Sequence, residues 1–254
     1  MIYKNNIGFI RFFLLIVLCA LTAMPATADS LGLSYKVLEA AKDAKQIIVF
    51  TRFLTRAAPK GMEVTIRTWR TAEDWLKKPE SEKKSDFIYY DMMNVYERKN
   101  LSDEWKRIIF SPNCIGDKNL SGLGGVFRLI KASGIKENPG NIPGYLKLDD
   151  TYYWCEDPQS QYFNQFISTH KYKNFNIGKG KHVSDFPEEF AYSLIIRSTT
   201  NTKSASDTTL LLQCQGKNAS YEDMTGIAIP QADMYSLLRH LKKDCIIIIT
   251  EEYR

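Results

Sequence analysis

The stretch that decides the fold is YEDMTGIAIPQADMYSLLRHL (Tyr221–Leu241). A polar turn tightened by Gly226 leads through a short apolar strand into a helix that begins at Pro230, where proline loses no hydrogen bond. The apolar residues of this helix recur at the i, i+3, i+4, i+7 spacing of a buried stripe: Met234, Leu237, Leu238 and Leu241. Such a turn can present a reactive side chain, yet the residue after the glycine is Ile227.

Most of the remaining apolar runs are typical of β-strands. Branched and aromatic residues, with turn residues between the runs, predict a mainly β fold with a few helices. The runs are QIIVFTRF (Gln46–Phe53), MEVTIRTW (Met62–Trp69), DFIYYDM (Asp86–Met92), GVFRLI (Gly125–Ile130), AYSLIIRS (Ala191–Ser198), TTLLLQC (Thr208–Cys214) and CIIIIT (Cys245–Thr250).

Helical patterns occur at LGLSYKVLEAAKDAK and from Pro230 onwards, and the charged segment KKPESEKKSD (Lys77–Asp86) predicts a solvated loop. No internal repeat or linker stands out. A single domain over residues 29–254 is therefore expected.

The N-terminal 28 residues have the pattern of a cleaved secretory signal. Lys4 and Arg11 precede the apolar run FFLLIVLCALTA (Phe12–Ala23). The small-residue site ATA follows this run at Ala26–Ala28. The run is short for a membrane span. Cleavage near Ala28–Asp29 predicts a periplasmic or secreted protein without a stable membrane anchor.

Charge and histidine spacing argue against several classes of site. The formal net charge of +5 is mild for a nucleic-acid-binding protein. His170, His182 and His240 lack ligand spacing with one another or with cysteine. GLGGVF leads into a strand-like run and has no following Lys-Ser/Thr, so it is not a nucleotide loop. We predict no nucleic-acid partner, metal or cofactor.

Outside the signal there are four cysteines, an even number that permits disulfides in an oxidising compartment: Cys114, Cys155, Cys214 and Cys245. Their pairing does not follow from the sequence.

The segment HKYKNFNIGKGKH (His170–His182) interleaves lysines with aromatic residues. Two interpretations stay open: a solvated loop, or a surface that binds an anionic polymer.

Nucleophilic catalysis needs a nucleophile, a base and donors for the developing oxyanion. The turn at Thr225 and Gly226 could supply backbone donors, and Cys214 is the thiol nearest to it in sequence. A cysteine at a strand end is more often buried or disulfide-linked than catalytic.

In order and spacing, several segments resemble the bacterial L,D-transpeptidase catalytic domain, in the branch with an aromatic DDxYWxDDP segment. The resemblance covers the chain from about Ala44 to the C-terminus. The matching pieces are AKQIIVFTRF, GGVFRLIKASG, PGYLKLDDTYYWCEDPQSQYFNQF, AYSLIIRSTTN, TTLLLQC and MTGIAIPQADMYSLLRHLKKDCIIII.

The resemblance implies a β-sandwich or barrel that performs acyl transfer on peptidoglycan stem peptides. A cysteine attacks the donor peptide, D-alanine leaves, and a histidine on the preceding strand acts as base. It also implies Tyr153, Trp154 and Asp157 as ligand-cleft candidates.

The chain departs from the family at both essential positions. Gln213 stands where the family has the histidine, and Ile227 where it has the cysteine. Leu123 and Gly124 replace the Thr-Pro pair before GVF. Neither Ile227 nor Gln213 can perform the family chemistry, since isoleucine has no nucleophilic atom and glutamine is not a base near neutral pH.

These departures predict a catalytically silent cell-envelope protein that binds peptidoglycan stem peptide or a protein partner. One alternative is an active L,D-transpeptidase or carboxypeptidase with Cys214 as relocated nucleophile and His182 as base. A second is a secreted interaction protein stapled by disulfides. An alignment one residue out of register at Ile227 also stays open.

Overall fold

The structure is a computed structural model that describes residues 33, 35–55, 88–117, 124–199, 209–217 and 226–253. The signal segment, the run at 62–69, the charged segment at 77–86 and Thr225 lie outside the described residues. The chain divides into two units, Met1–Glu39 and Ala40–Arg254. Helix α1 (Tyr35–Ala40) begins in the first unit.

The described part of the second unit is built mainly from β-strands, which confirms the mainly β fold with few helices. They are β1 (Gln46–Thr55), β2 (Ile88–Glu97), β3 (Lys106–Gly116), β4 (Gly125–Gly134), β5 (Leu146–Lys147), β6 (Tyr152–Cys155), β7 (Phe166–Ser168), β8 (Gly180–His182), β9 (Ser193–Ser198), β10 (Thr209–Cys214), β11 (Ile227–Ile229) and β12 (Ile246–Tyr253). Two short 3-10 helices, Ile177–Lys179 and Val183–Asp185, flank β8, and helix α2 (Gln231–His240) follows β11.

The main sheet closes on itself. Its strand order is β12-β1-β2-β3-β11-β10-β9-β4-β5, and β12 also pairs with β4. The strands from β12 to β4 therefore form a closed ring to which β5 is added, and closure removes the exposed sheet edges that invite association. A separate small sheet has the order β7-β6-β8.

The inside of the ring holds the larger apolar core. Alternate residues of the ring strands point inward, and the buried stripe of α2 joins them. The inward set includes Phe50, Met93, Phe127, Leu194, Leu212, Cys214, Ile227, Ile229, Met234, Leu237, Leu238 and Ile247. The predicted stripe of α2 is thus confirmed, and Leu241, just after the helix, is partly buried against the same core.

A second, smaller core lies between the outer face of the ring and the small sheet. Its members are Leu148, Trp154, Val183, Phe190, Ile195 and Leu211. Because Leu211 comes from β10 and Trp154 from β6, this core attaches the small sheet to the wall of the ring.

Gly226 fixes the entry into β11. Its φ of +91° lies in the left-handed region, and a Cβ there would come within 2.1 Å of the carbonyl oxygen of Leu211. Only glycine fits this close approach, so the turn predicted from the sequence has a steric cause.

None of the helices among the described residues is long and apolar enough to cross a membrane.

Candidate functional site

The two faces of β10 separate the residues that the sequence singled out. In the parallel β10–β11 pair, Leu212 lies beside Ile227 and Gln213 beside Ala228. Side chains alternate along a strand, and paired neighbours share a face. Ile227 therefore points into the inner core, whereas Gln213 points outward. The resemblance places base and nucleophile together, but these two side chains lie on opposite faces.

Cys214 also points inward and is fully buried. Its thiol donates to the carbonyl oxygen of Tyr192, with Sγ 3.4 Å from that oxygen. Burial raises the pKa of this thiol to about 12. At neutral pH it is a protonated core side chain, which is the opposite of what a nucleophilic cysteine needs.

The other three described cysteines are buried as well. Cys114, Cys155 and Cys245 are buried and free, so no disulfide joins any of the four cysteines in the part of the chain that the structure describes. The described residues thus contain no bridge of the kind that the disulfide-stapled alternative assumes.

On the outer face, Gln213 reaches a network that the sequence did not indicate. Its Nε2 donates to Oε2 of Glu189 over 3.3 Å, and Nζ of Lys181 lies 2.8 Å from the same oxygen. The carbonyl oxygen of Glu189 accepts from the N–H of Cys214 at 3.0 Å. Glu189 thereby ties β8 of the small sheet to the end of β10.

Lys181 is held firmly in this network. Its side chain is 19% exposed, and its ammonium lies 4.3 Å from the centre of the Phe186 ring. Aromatic faces attract cations in such positions. No local pattern marks Glu189 in the sequence, since its role follows from a contact across two sheets.

The small sheet presents one face to a surface cleft of about 820 Å³. The lining includes three side chains that carry or can carry positive charge and three carboxylates, together with two aromatic rings: Lys179, Lys181, His182, Glu156, Asp157, Asp185, Tyr153 and Phe186. A cleft with both signs of charge suits a ligand that carries both.

Side chains alternate along β6, so the predicted cleft residues do not all face the cleft. Tyr153 lines the cleft, and so does Asp157 just after the strand. Trp154 instead points into the smaller core, where it is 2% exposed and meets the edge of Phe166 with ring centres 5.0 Å apart. Trp154 supports the cleft from beneath and does not line it.

Asp157 is poised at the rim of the cleft. The N–H of Gln159 donates to its carboxylate and Lys179 lies 3.2 Å from it, and together they hold the pKa of Asp157 below its usual range. The carboxylate therefore stays ionised well into the acidic range.

His182 lies in the cleft with both ring nitrogens directed at acceptors. Nε2 is 2.6 Å from the carbonyl oxygen of Asp150, to which it donates, and Nδ1 is 3.5 Å from Oδ1 of Asp185. The ring stacks on Tyr153 with centres 4.5 Å apart. The structure does not bring His182 to Cys214, because the histidine lies on the small sheet outside the ring and the thiol points inside it.

In the described ranges, no group of three or more His, Cys, Asp and Glu side chains could hold a metal ion.

Comparison with protein-family models, with curated proteins and with solved structures finds no match to this chain.

Proposed function

We propose that this protein is an exported, non-acylating relative of the L,D-transpeptidases whose cleft binds the stem peptide of peptidoglycan. The cleft of mixed charge on the small sheet, whose lining contains no cysteine, carries this proposal.

The chemistry of the cleft supports a peptide ligand with charges of both signs. A carboxylate of a stem peptide would pair with Lys179, whose side chain is 53% exposed, and an amino group with Glu156 or Asp185. Tyr153 and Phe186 supply apolar contact, as rings do in binding pockets. Loss of chemistry does not require loss of recognition, because fold and site are separable.

Non-acylation follows from the positions of the thiols. Cys214 faces the ring interior, and its pKa of about 12 keeps it protonated at neutral pH. Ile227 is 1% exposed and chemically inert. Cys155, next to the lining residue Glu156, is fully buried, and the cleft lining contains no cysteine. A donor peptide in the cleft would therefore meet no exposed thiol among the described residues.

Calorimetric titration with soluble muropeptides that carry tetrapeptide stems tests the proposal. We expect saturable binding that weakens about tenfold in Lys179→Gln, since a ligand contact worth about 1.4 kcal/mol is lost. Lys217→Gln is a matched control, because Lys217 also forms an exposed ion pair, with Glu188 at 2.7 Å, but does not line the cleft.

Absence of binding would refute the peptide-binding role. So would an equal loss of affinity in Lys179→Gln and Lys217→Gln, because it would show that general charge and not the cleft controls the interaction.

A further inference from the structure

The loops on the two sides of β7 form an aromatic ridge, which we define as Tyr162, Tyr172 and Phe175 with Lys171 and Lys173. The ring centres of Tyr162 and Tyr172 are 5.1 Å apart, and those of Tyr162 and Phe175 are 6.4 Å apart. The ammonium of Lys171 lies 5.3 Å from the centre of the Tyr172 ring. These side chains form one continuous surface feature.

Backbone hydrogen bonds hold the ridge in place. The N–H groups of Lys171 and Tyr172 both donate to the carbonyl oxygen of Ser168, at 3.1 and 2.9 Å. The N–H of Phe175 donates to the carbonyl oxygen of Tyr172 at 3.1 Å. A surface ordered before binding loses less entropy when a ligand arrives.

The segment that contains the ridge carries basic residues and no acidic ones. No acidic residue occurs from Gln159 to Ser184, a range that contains four lysines. Lys179 and Lys181 pair with Asp157 and Glu189. Across the described ranges, Lys171 and Lys173 form no ion pair, and both are exposed.

We propose that the aromatic ridge binds an acidic polysaccharide. The half-exposed rings offer apolar faces to the C–H groups of sugar rings, and the two lysines meet carboxylates spaced along the polymer. The ring of Tyr162 lies at 56° to that of Tyr172 and at 76° to that of Phe175, so neither pair can hold a flat group between parallel faces.

The ridge is distinct from the cleft, which neither Tyr162, Tyr172 nor Phe175 lines. It adjoins the cleft through Phe175, whose ring centre is 6.0 Å from that of Tyr153. This proposal does not depend on what the cleft binds.

The test uses alginate, a polymer of uronic acids, as the probe and dextran of similar length as the neutral comparison. We expect the purified protein to bind alginate and not dextran, with affinity that falls as salt rises. Lys171→Gln/Lys173→Gln should weaken binding about tenfold, the loss expected from two exposed ion pairs. Lys106→Gln/Lys131→Gln removes the same charge from exposed positions on the main sheet and should bind alginate normally.

A second pair of variants tests the rings separately from the charge. Tyr172→Phe keeps the ring and should bind alginate nearly as well as the parent, whereas Tyr172→Leu should bind measurably less. All variants should unfold at the parent temperature and keep any affinity of the cleft for stem peptide.

Three results would overturn the proposal. These are no binding to alginate, the same loss in the control lysine pair as in the ridge pair, and tighter binding to single-stranded DNA than to alginate under the same salt. A failure of peptide binding with intact alginate binding would count against the cleft proposal alone.

Discussion

The inner and outer faces of the ring wall differ in chemistry although they are built from the same strands. On β10, Leu212 and Cys214 point inward to an apolar core, and Gln213 points outward to Glu189 and Lys181. The described polar groups that line the cleft lie outside the ring, and the thiol of Cys214 lies inside it. A one-residue change in strand position therefore decides whether a side chain belongs to the core or to the site.

The largest expected effect comes from an ion pair on the inner face. Arg52 Nε and Nη2 contact the two carboxylate oxygens of Asp91 at 2.8 and 3.0 Å, and the N–H of Gly116 donates to the same carboxylate. Asp91→Ala leaves a buried guanidinium without its carboxylate and should cost about 3–5 kcal/mol. Urea unfolding measures the loss.

An exposed ion pair at the small sheet, outside the ring, is the control for this comparison. Asp157→Ala breaks the contact with Lys179, which is 53% exposed, and should lower the free energy of unfolding far less than Asp91→Ala does. Equal losses from Asp91→Ala and Asp157→Ala would contradict the distinction between the two faces.

Two adjacent residues of β10 compare the contributions of the inner and outer faces to stability. Leu212→Ala opens a cavity in the inner core and should lower the free energy of unfolding by about 2–5 kcal/mol. Gln213→Ala removes an outer hydrogen bond to Glu189 and should cost about 1 kcal/mol. A larger loss from Gln213→Ala would show that the outer network, and not the ring core, dominates local stability.

Alkaline pH should lower the free energy of unfolding through the buried thiols of the inner core. Burial raises the pKa of Cys214 and Cys245 from 9.0 to about 12, so the folded state holds these protons more tightly than the unfolded state. Their contribution is complete below pH 9.0 and is lost as the pH rises through about 12. Stability at pH 11 should fall by up to about 3 kcal/mol per thiol.

The check compares urea midpoints at pH 8 and 11 for the parent and for Cys214→Ala/Cys245→Ala. The double variant should lose less stability on going to pH 11. An identical decrease in both proteins would show that the buried thiols do not cause it.

The smallest effect on function is expected from placing a cysteine at position 227, where the resembled family has its nucleophile. Ile227→Cys places a thiol at a position that is 1% exposed, so it should not restore acyl transfer. It should react with a thiol reagent about a hundredfold more slowly than the exposed control Ser184→Cys, since labelling requires local opening. Rapid labelling of Ile227→Cys, measured by mass spectrometry, would show that this position lies outside the core and would contradict the account.

Much of the ring followed from the sequence because branched residues recur in short runs. β1, β2, β4, β9, β10 and β12 coincide with predicted runs, as does the strand–helix pair that ends at His240. β3 was missed, since Pro112 interrupts its pattern. The pairing with β2 is irregular there: Asp91 pairs with Cys114 and Met93 with Ser111, and a bulge tolerates proline.

The site was less predictable for a different reason. Tyr153 and Trp154 are neighbours in one aromatic run, and only the observed pairing of β6 tells which of them faces the cleft. Glu189 carries no local signal at all, because its partners Lys181 and Gln213 come from two different sheets.

We propose that the cleft recognises peptide without forming a covalent bond to it. Incubation with tetrapeptide muropeptides, followed by intact-protein mass and D-alanine release beside an active L,D-transpeptidase, tests this most directly. We predict an unchanged protein mass and no D-alanine. A mass increase that disappears in Cys214→Ser, together with D-alanine release, would contradict the account and establish a relocated nucleophile.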